Sequence, residues 1–174
     1  MPYLVLFLFA VLFYNQAFAT TQTNQENDPI EILSDTLHYF PKENRAVFEG
    51  KVEATQKDLQ MHCKIMTVLF VGKTPVQTAD DHLPEDSKIK EIILEGDVVI
   101  ISPKERAEAK RGEYIVETGV ATLFDDVKLY QGESKLFGDK LVHNKNTGES
   151  LMTMNNHNKR VKGIFVPEGK QNGN

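Results

Sequence analysis

The sequence predicts an all-β fold in which repeated hairpin units stack into two facing sheets or a partly open roll. Three observations predict it: a nine-residue phrase recurs along the chain, its apolar residues alternate with charged ones, and polar turns separate the copies. The phrase reads AVFEGKVEA at residues 46–54, IILEGDVVI at 92–100 and ATLFDDVKL at 121–129. Alternation with a period of two is the pattern of a strand that buries one face.

The repeat extends beyond the phrase once the copies are aligned on three valines, Val52, Val98 and Val127. Eleven residues after each valine stands a small residue, and these are Cys63, Ala109 and Gly138. Sixteen residues after each valine stand Val68, Tyr114 and His143. A repeat of this kind indicates stacked units that bury their apolar faces against one another.

One insertion interrupts the repeat. The first two valines are 46 residues apart and the last two 29, so the first interval has 17 additional residues. Residues 72–88, GKTPVQTADDHLPEDSK, are polar and acidic with two prolines, and we expect a long exposed loop there. Its acidic residues lack the alternating spacing of a calcium loop, which favours a solvated segment.

Between the polar turns we expect strands of five to nine residues that form an antiparallel meander. The only helical alternative is SKIKEIILEG, and the β-branched run EGDVVII that follows it favours a strand. The third copy of the phrase differs from the others because Asp125 replaces their glycine.

The N-terminus has the pattern of an export signal. Residues 1–19 carry no charged side chain and end in Ala17-Phe18-Ala19, an A-x-A cleavage signature. The apolar run is shorter than the roughly 20 residues that cross a bilayer, although an uncleaved anchor is the alternative. We therefore expect a cleaved signal peptide at 1–19, a flexible segment at 20–28, one domain at 29–167 and a flexible tail at 168–174.

Composition excludes several classes of protein. The net charge of −5 argues against a nucleic-acid-binding domain, which would normally be basic. The single cysteine, Cys63, rules out an internal disulfide, and alternation places it on the apolar face as a small buried residue.

No catalytic or metal-binding pattern stands out. The five histidines lack metal-ligand spacing, and neither a nucleophile elbow nor a phosphate-binding glycine loop is present. His143 occupies a repeat slot that holds Tyr114 in the preceding copy, so the architecture explains its position. We expect a protein that is not an enzyme and has no cofactor or metal.

The interior allows two interpretations. Small residues on the inner face, such as Gly50, Ala54, Gly96, Ala109 and Gly138, permit either close packing of the sheets or a hydrophobic groove. A groove that buries a fatty chain gains about 0.8 kcal/mol for each methylene.

An open meander also has two unpaired edge strands. We expect them near residues 29–35, PIEILSD, and 159–167, KRVKGIFVP. The second edge has an apolar run that Pro167 ends, and unlike edges allow head-to-tail strand addition. The alternative is an ordinary edge protected by Lys159, Arg160 and Lys162. The predicted assembly residues are Val161, Ile164, Phe165 and Val166.

The order of these segments resembles the LptA/OstA family of periplasmic lipopolysaccharide-transport proteins. The segments are PIEILSD, the repeated EG-x-V hairpin, GDKLVHNKNTGES at 138–150 and RVKGIFVP at 160–167. The resemblance covers about residues 28–167, and His143 replaces the tyrosine that the family usually has after GDKLV.

The resemblance implies a twisted, partly open antiparallel β-jellyroll that shields the acyl chains of lipopolysaccharide and stacks head-to-tail as a homo-oligomer. It also implies partners in the two membranes, an LptC-like inner-membrane protein and an LptD-like outer-membrane protein. In the family, isoleucines of the N-terminal segment line the lipid path, and they match Ile30 and Ile32. The repeat register adds the other predicted groove residues, which are Leu37, Phe48, Val52, Leu94, Val98, Ile100, Tyr114, Leu123, Val127 and Leu141.

Two alternatives remain open from the sequence. One is a membrane-anchored, LptC-like component that retains its N-terminal segment. The other is a structural adaptor whose interior is fully packed and holds no lipid.

Overall fold

The computed structural model of the protein describes residues 29–71, 88–156 and 158–166, which form ten strands and a 3₁₀ turn at Pro41–Glu43. The predicted signal peptide, the segments 20–28 and 168–174, Pro167 and nearly all of the 72–88 loop lie outside these residues. Within the described ranges, no helix has the length and apolar character to cross a membrane. The strands are β1 (Glu31–Leu33), β2 (Thr36–Phe40), β3 (Arg45–Gln56), β4 (Leu59–Val71), β5 (Lys88–Ile101), β6 (Arg106–Ile115), β7 (Val120–Gln131), β8 (Ser134–Asn144), β9 (Ser150–Thr153) and β10 (Lys162–Ile164).

All ten strands belong to one antiparallel sheet, which confirms the predicted all-β meander. The six long strands β3 to β8 pair in sequence order. On the outer side of β3, β1 pairs with residues 53–55 and β2 with residues 45–49. On the outer side of β8, β10 pairs with residues 135–137 and β9 with residues 140–143. Each edge of the sheet is therefore formed by two short strands laid end to end.

Equivalent positions of the sequence repeat are paired in the sheet in the same way in each copy. Each aligned valine pairs with the small residue found eleven positions later: Val52 with Cys63, Val98 with Ala109, and Val127 with Gly138. The competing helix at residues 88–96 is wrong, because this stretch lies inside β5.

A line of bulges crosses the sheet at one level. In β3, β5 and β7 two consecutive residues have left-handed backbone angles: Gly50 and Lys51, Gly96 and Asp97, and Asp125 and Asp126. On the neighbouring strands each of these pairs lies opposite a single residue, Lys64, Lys110 or Asp139. An additional residue in one strand bends and twists the ladder.

The bulges explain why the glycine slot of the phrase also accepts aspartate. Glycine enters the left-handed region without a steric penalty, and aspartate enters it more readily than most other residues. The bulges also correct the predicted strand lengths. The bulged phrase interrupts the alternation without ending the strand, so β3 to β8 have 10 to 14 residues instead of five to nine.

The bend divides the sheet into two half-sheets. The β2–β9 half-sheet comprises β2, β9 and residues 45–49, 65–71, 88–95, 111–115, 120–124 and 140–144. The β1–β10 half-sheet comprises β1, β10 and residues 52–56, 59–63, 98–101, 106–109, 127–131 and 134–138. Both edges of the sheet break at the level of the bend. At one edge, Asp35 N–H donates to Gly50 O (2.9 Å) between β1 and β2. At the other edge, Asn155 N–H donates to Asp139 Oδ2 (3.0 Å).

The core lies between the half-sheets. A flat single layer would expose both faces, yet Met66 of the β2–β9 half-sheet is 0 % exposed and Val52 of the β1–β10 half-sheet 1 %. Both belong to one buried apolar cluster. The sheet therefore folds over itself about the bend, and the interior runs across the strands from the β1–β2 edge to the β9–β10 edge.

Candidate functional site

A continuous apolar row crosses the β2–β9 half-sheet on its inner face. Successive strand pairings carry the row from one edge of the sheet to the other. Gly112 is the one position without a side chain, and the side chains of Leu94 and Leu123 lie against it. In order, the row is Leu37, Phe48, Met66, Leu94, Gly112, Leu123, Leu141 and Met152.

A second row faces it from the β1–β10 half-sheet. It also extends over all eight strand segments without a polar residue. In order, it consists of Ile32, Ala54, Met61, Ile100, Ala107, Leu129, Leu136 and Gly163. The two rows together give the interior apolar walls from edge to edge.

The structure brings the predicted groove residues to this interior, with one exception. Six of them belong to the buried cluster: Val52, Leu94, Val98, Leu123, Val127 and Leu141. Five more are partly buried and pack against it: Ile30, Ile32, Phe48, Ile100 and Tyr114. Leu37 pairs with Phe48 on the same row, but it lies at the edge and is 53 % exposed.

The middle of the interior is closed by side-chain packing. Val52, Val98 and Val127 form one line across the β1–β10 half-sheet and are each 1 % exposed. Each valine pairs with a small residue, Cys63, Ala109 or Gly138, so a large and a small side chain lie side by side along this line. An occupant of the middle of the interior would therefore have to move the half-sheets or their side chains apart.

The two ends of the interior are lined by different apolar side chains. At the β1–β2 edge Ile30 and Ile32 are only partly buried. At the β9–β10 edge the side chain of Met152 lies over Gly138, where an added β-carbon would come within 2.5 Å of Met152 Cγ. Partly buried apolar side chains therefore cover the interior at both edges.

Sequence reasoning missed several interior residues. Met61, Met66, Leu59, Phe70, Ile89 and Met152 all belong to the cluster or pack against it. Alternation counted from Cys63 puts Ile65 inward and Met66 outward, whereas the bend at Lys64, opposite the bulge in β3, reverses this assignment. The repeat itself contains the missing signal, because Met66 pairs with Phe48 and Leu94, residues already assigned to the inner face.

The predicted assembly residues lie at the C-terminal edge. Ile164 ends β10, and Phe165 folds back over Gly163 while remaining 75 % exposed. Val161 and Val166 are also exposed, and Val166 N–H donates to Ser134 Oγ at 3.4 Å. The opposite edge exposes Leu33 and Leu37, so apolar side chains are present at both edges.

Polar groups cluster away from the interior. Ion pairs lie at the bend, where Lys64 Nζ is 2.7 Å from Asp97 Oδ2 and Arg111 Nε is 3.3 Å from Asp125 Oδ2. Burial raises the pKa of Cys63 to about 11, and its thiol donates to Ile65 O at 3.2 Å. Across the described part of the chain, no group of three or more His, Cys, Asp or Glu side chains could hold a metal ion.

These features define a class of protein: an open, antiparallel β-jellyroll with an apolar interior that extends from one sheet edge to the other. Residues 31–149 match the family model described as LptA/(LptD N-terminal domain) LPS transport protein. The chain belongs to this family.

A solved structure has the same fold. It is the crystal structure of LptH, described as the LptA homologous periplasmic component of the conserved lipopolysaccharide transport device from Pseudomonas aeruginosa. The match covers 82 % of this chain and 99 % of that chain, with a TM-score of 0.65 and 17 % sequence identity. Comparison with curated proteins gives no match.

Proposed function

We propose that this protein carries lipopolysaccharide through the periplasm, with the acyl chains held between the two half-sheets and the sugars in water. The observation that carries this proposal is the pair of apolar rows that face each other across the whole sheet. Family membership supports the class of cargo, and the predicted export signal supports the location. The predicted groove residues from Ile30 to Leu141, apart from the exposed Leu37, form the walls of the lipid path.

Burial of acyl chains supplies the binding energy. At about 0.8 kcal/mol for each methylene, a dozen methylenes gain roughly 10 kcal/mol, part of which opens the packed interior. The methionines at 61, 66 and 152 suit such a change, because unbranched thioether side chains repack easily.

Copies of the chain stack head-to-tail into a bridge between the membranes. The five antiparallel steps from β3 to β8, together with the antiparallel edge pairings, leave β1 and β10 pointing in opposite directions. The same holds for β2 and β9. A second copy in the same orientation can therefore add its β1–β2 edge to β9–β10 as two further antiparallel pairs. Related jellyroll domains of LptC-like and LptD-like partners would cap the two ends of the bridge in the same way.

The matched pair Ile32→Glu and Leu33→Glu tests lipid binding. Ile32 points inward and packs against the cluster, whereas its neighbour Leu33 is 58 % exposed on the outer face. We expect Ile32→Glu to abolish lipopolysaccharide binding by the purified protein, because a carboxylate would have to be buried beside the acyl chains. Leu33→Glu should bind as the unchanged protein does, and both variants should retain the β-sheet circular dichroism spectrum. Undiminished binding by folded Ile32→Glu would contradict the proposal.

The packed middle of the interior favours a second candidate, a structural adaptor that joins partner jellyrolls without holding lipid. In that case neither substitution affects lipid, because the unchanged protein binds none.

A further inference from the structure

A cavity of about 240 Å³ lies where the free ends of the two half-sheets meet. Gln56 to Leu59 form the β3–β4 turn, and Ser102 and Pro103 follow β5, so these residues come from the β1–β10 half-sheet. Lys145 follows β8 and comes from the β2–β9 half-sheet. The cavity therefore lies opposite the bend, at the open side of the interior, and we call it the mouth cavity.

The mouth cavity combines an apolar floor with a cationic rim. Leu59 is partly buried and packs against the core cluster, so the floor is continuous with the interior. Lys57 and Lys145 contribute two ammonium groups, and Asp58 contributes one carboxylate. Because the whole chain has a net charge of −5, this small cationic excess is a local feature and does not belong to a general basic surface.

The backbone on both sides of the mouth cavity is fixed. Gln56 pairs with Leu59 across the tight turn that contains Lys57. Lys145 N–H donates to Gly119 O at 2.9 Å, which ties the β8–β9 turn to the β6–β7 turn. Ser102 Oγ bonds to Glu105 and stabilises the third turn. The two lysines thus extend from ordered positions, which lowers the entropy lost when they bind an anion.

An amphiphile held between the half-sheets must leave its polar part at this opening. The interior contains no buried polar or charged side chain among the described residues, and a charged group without a partner is costly to bury there. We propose that the mouth cavity binds the anionic headgroup of the bound lipid, a phosphate ester on a sugar, through Lys57 and Lys145. This inference rests on the proposed function, because it assigns the headgroup of the same lipid whose acyl chains fill the interior.

The proposal can be tested with two forms of one lipid. Binding of the full chain is measured to lipid A that carries its phosphates and to the same lipid A after dephosphorylation, by displacement of a fluorescent fatty acid. The unchanged protein should prefer the phosphorylated form by about tenfold, the size expected for one charge-assisted contact. Lys57→Gln combined with Lys145→Gln should reduce this ratio to near one and leave the affinity for dephosphorylated lipid A unchanged.

Two variants sharpen the result. Asp58→Asn removes the opposing carboxylate and should raise the ratio, whereas Lys110→Gln, which removes one positive charge at the bend, should leave it unchanged. An undiminished preference for phosphorylated lipid A in the double lysine variant would contradict the headgroup site. It would not contradict the binding of acyl chains between the half-sheets. Failure of the unchanged protein to bind either lipid would instead contradict the proposed function. Binding of inorganic phosphate without lipid, as tight as that of lipid A, would identify a free-anion site and overturn the headgroup assignment.

Discussion

The side chain of Met152 in β9 covers Gly138 in β8 across the bend, and together they close one end of the interior. A β-carbon at residue 138 would lie 2.5 Å from Met152 Cγ and 3.1 Å from the backbone oxygen of Thr153. The methionine can move, but the backbone oxygen belongs to a paired strand. Glycine at this position therefore allows the two half-sheets to meet.

Gly138→Ala should destabilise the protein by about 1–3 kcal/mol, because the added methyl group overpacks a closed end of the core. Gly112→Ala is the matched control, since the nearest atoms to its β-carbon would be leucine side-chain atoms at 3.1 Å or more, with no backbone atom among them. Urea denaturation of both variants measures the difference. An equal loss of stability in the two variants would contradict the proposed role of Gly138.

Gly96→Val should also destabilise the fold by about 1–3 kcal/mol, because a β-branched residue is strained at a φ of +77°. Gly96→Asp should cost less, since aspartate occupies the equivalent slot at Asp125 with a φ of +66°. Thermal unfolding of the pair provides the measurement. If valine and aspartate were equally tolerated, backbone conformation would not explain the recurring glycine.

The prediction of this fold from the sequence succeeded where the repeat was informative and failed where the bulges interrupted it. Spacing alone identified Val98 and Ala109 as equivalent positions of the repeat, and the structure pairs them because a hairpin of constant length places the same two slots side by side. Spacing could not show the bend, since Lys51 is a residue that rarely signals a left-handed backbone. The bend also reverses the alternation in β4, which explains why Met66 was missed although Phe48 and Leu94 were assigned.

Stability should fall as the pH rises from about 9 towards 11. The pKa of Cys63 is raised by burial to about 11, whereas the unfolded thiol has a pKa near 9.0. In this range the unfolded chain loses a proton that the folded chain retains, so unfolding becomes more favourable. The Cys63→Ala variant should show a smaller decline over the same range in urea denaturation. Identical pH profiles for the two proteins would contradict this assignment.

Ile164→Glu should weaken self-association, because it places a charge on the outer face of β10 where the next copy would pair. Val71→Glu is the control, since Val71 is also exposed but lies at the end of β4, inside the sheet. Sedimentation velocity over a range of protein concentrations should show smaller assemblies for Ile164→Glu alone. If both variants assembled as the unchanged protein does, the C-terminal edge would not be the joining surface.

In-cell photo-crosslinking tests most directly whether lipid lies between the half-sheets. A photoreactive residue is placed at Ile32 on the inner face, and separately at the neighbouring outward position Leu33. A lipid-filled interior predicts a lipopolysaccharide adduct from position 32 and little or none from position 33. No adduct from position 32, or equal adducts from both positions, would contradict a lipid path through the interior.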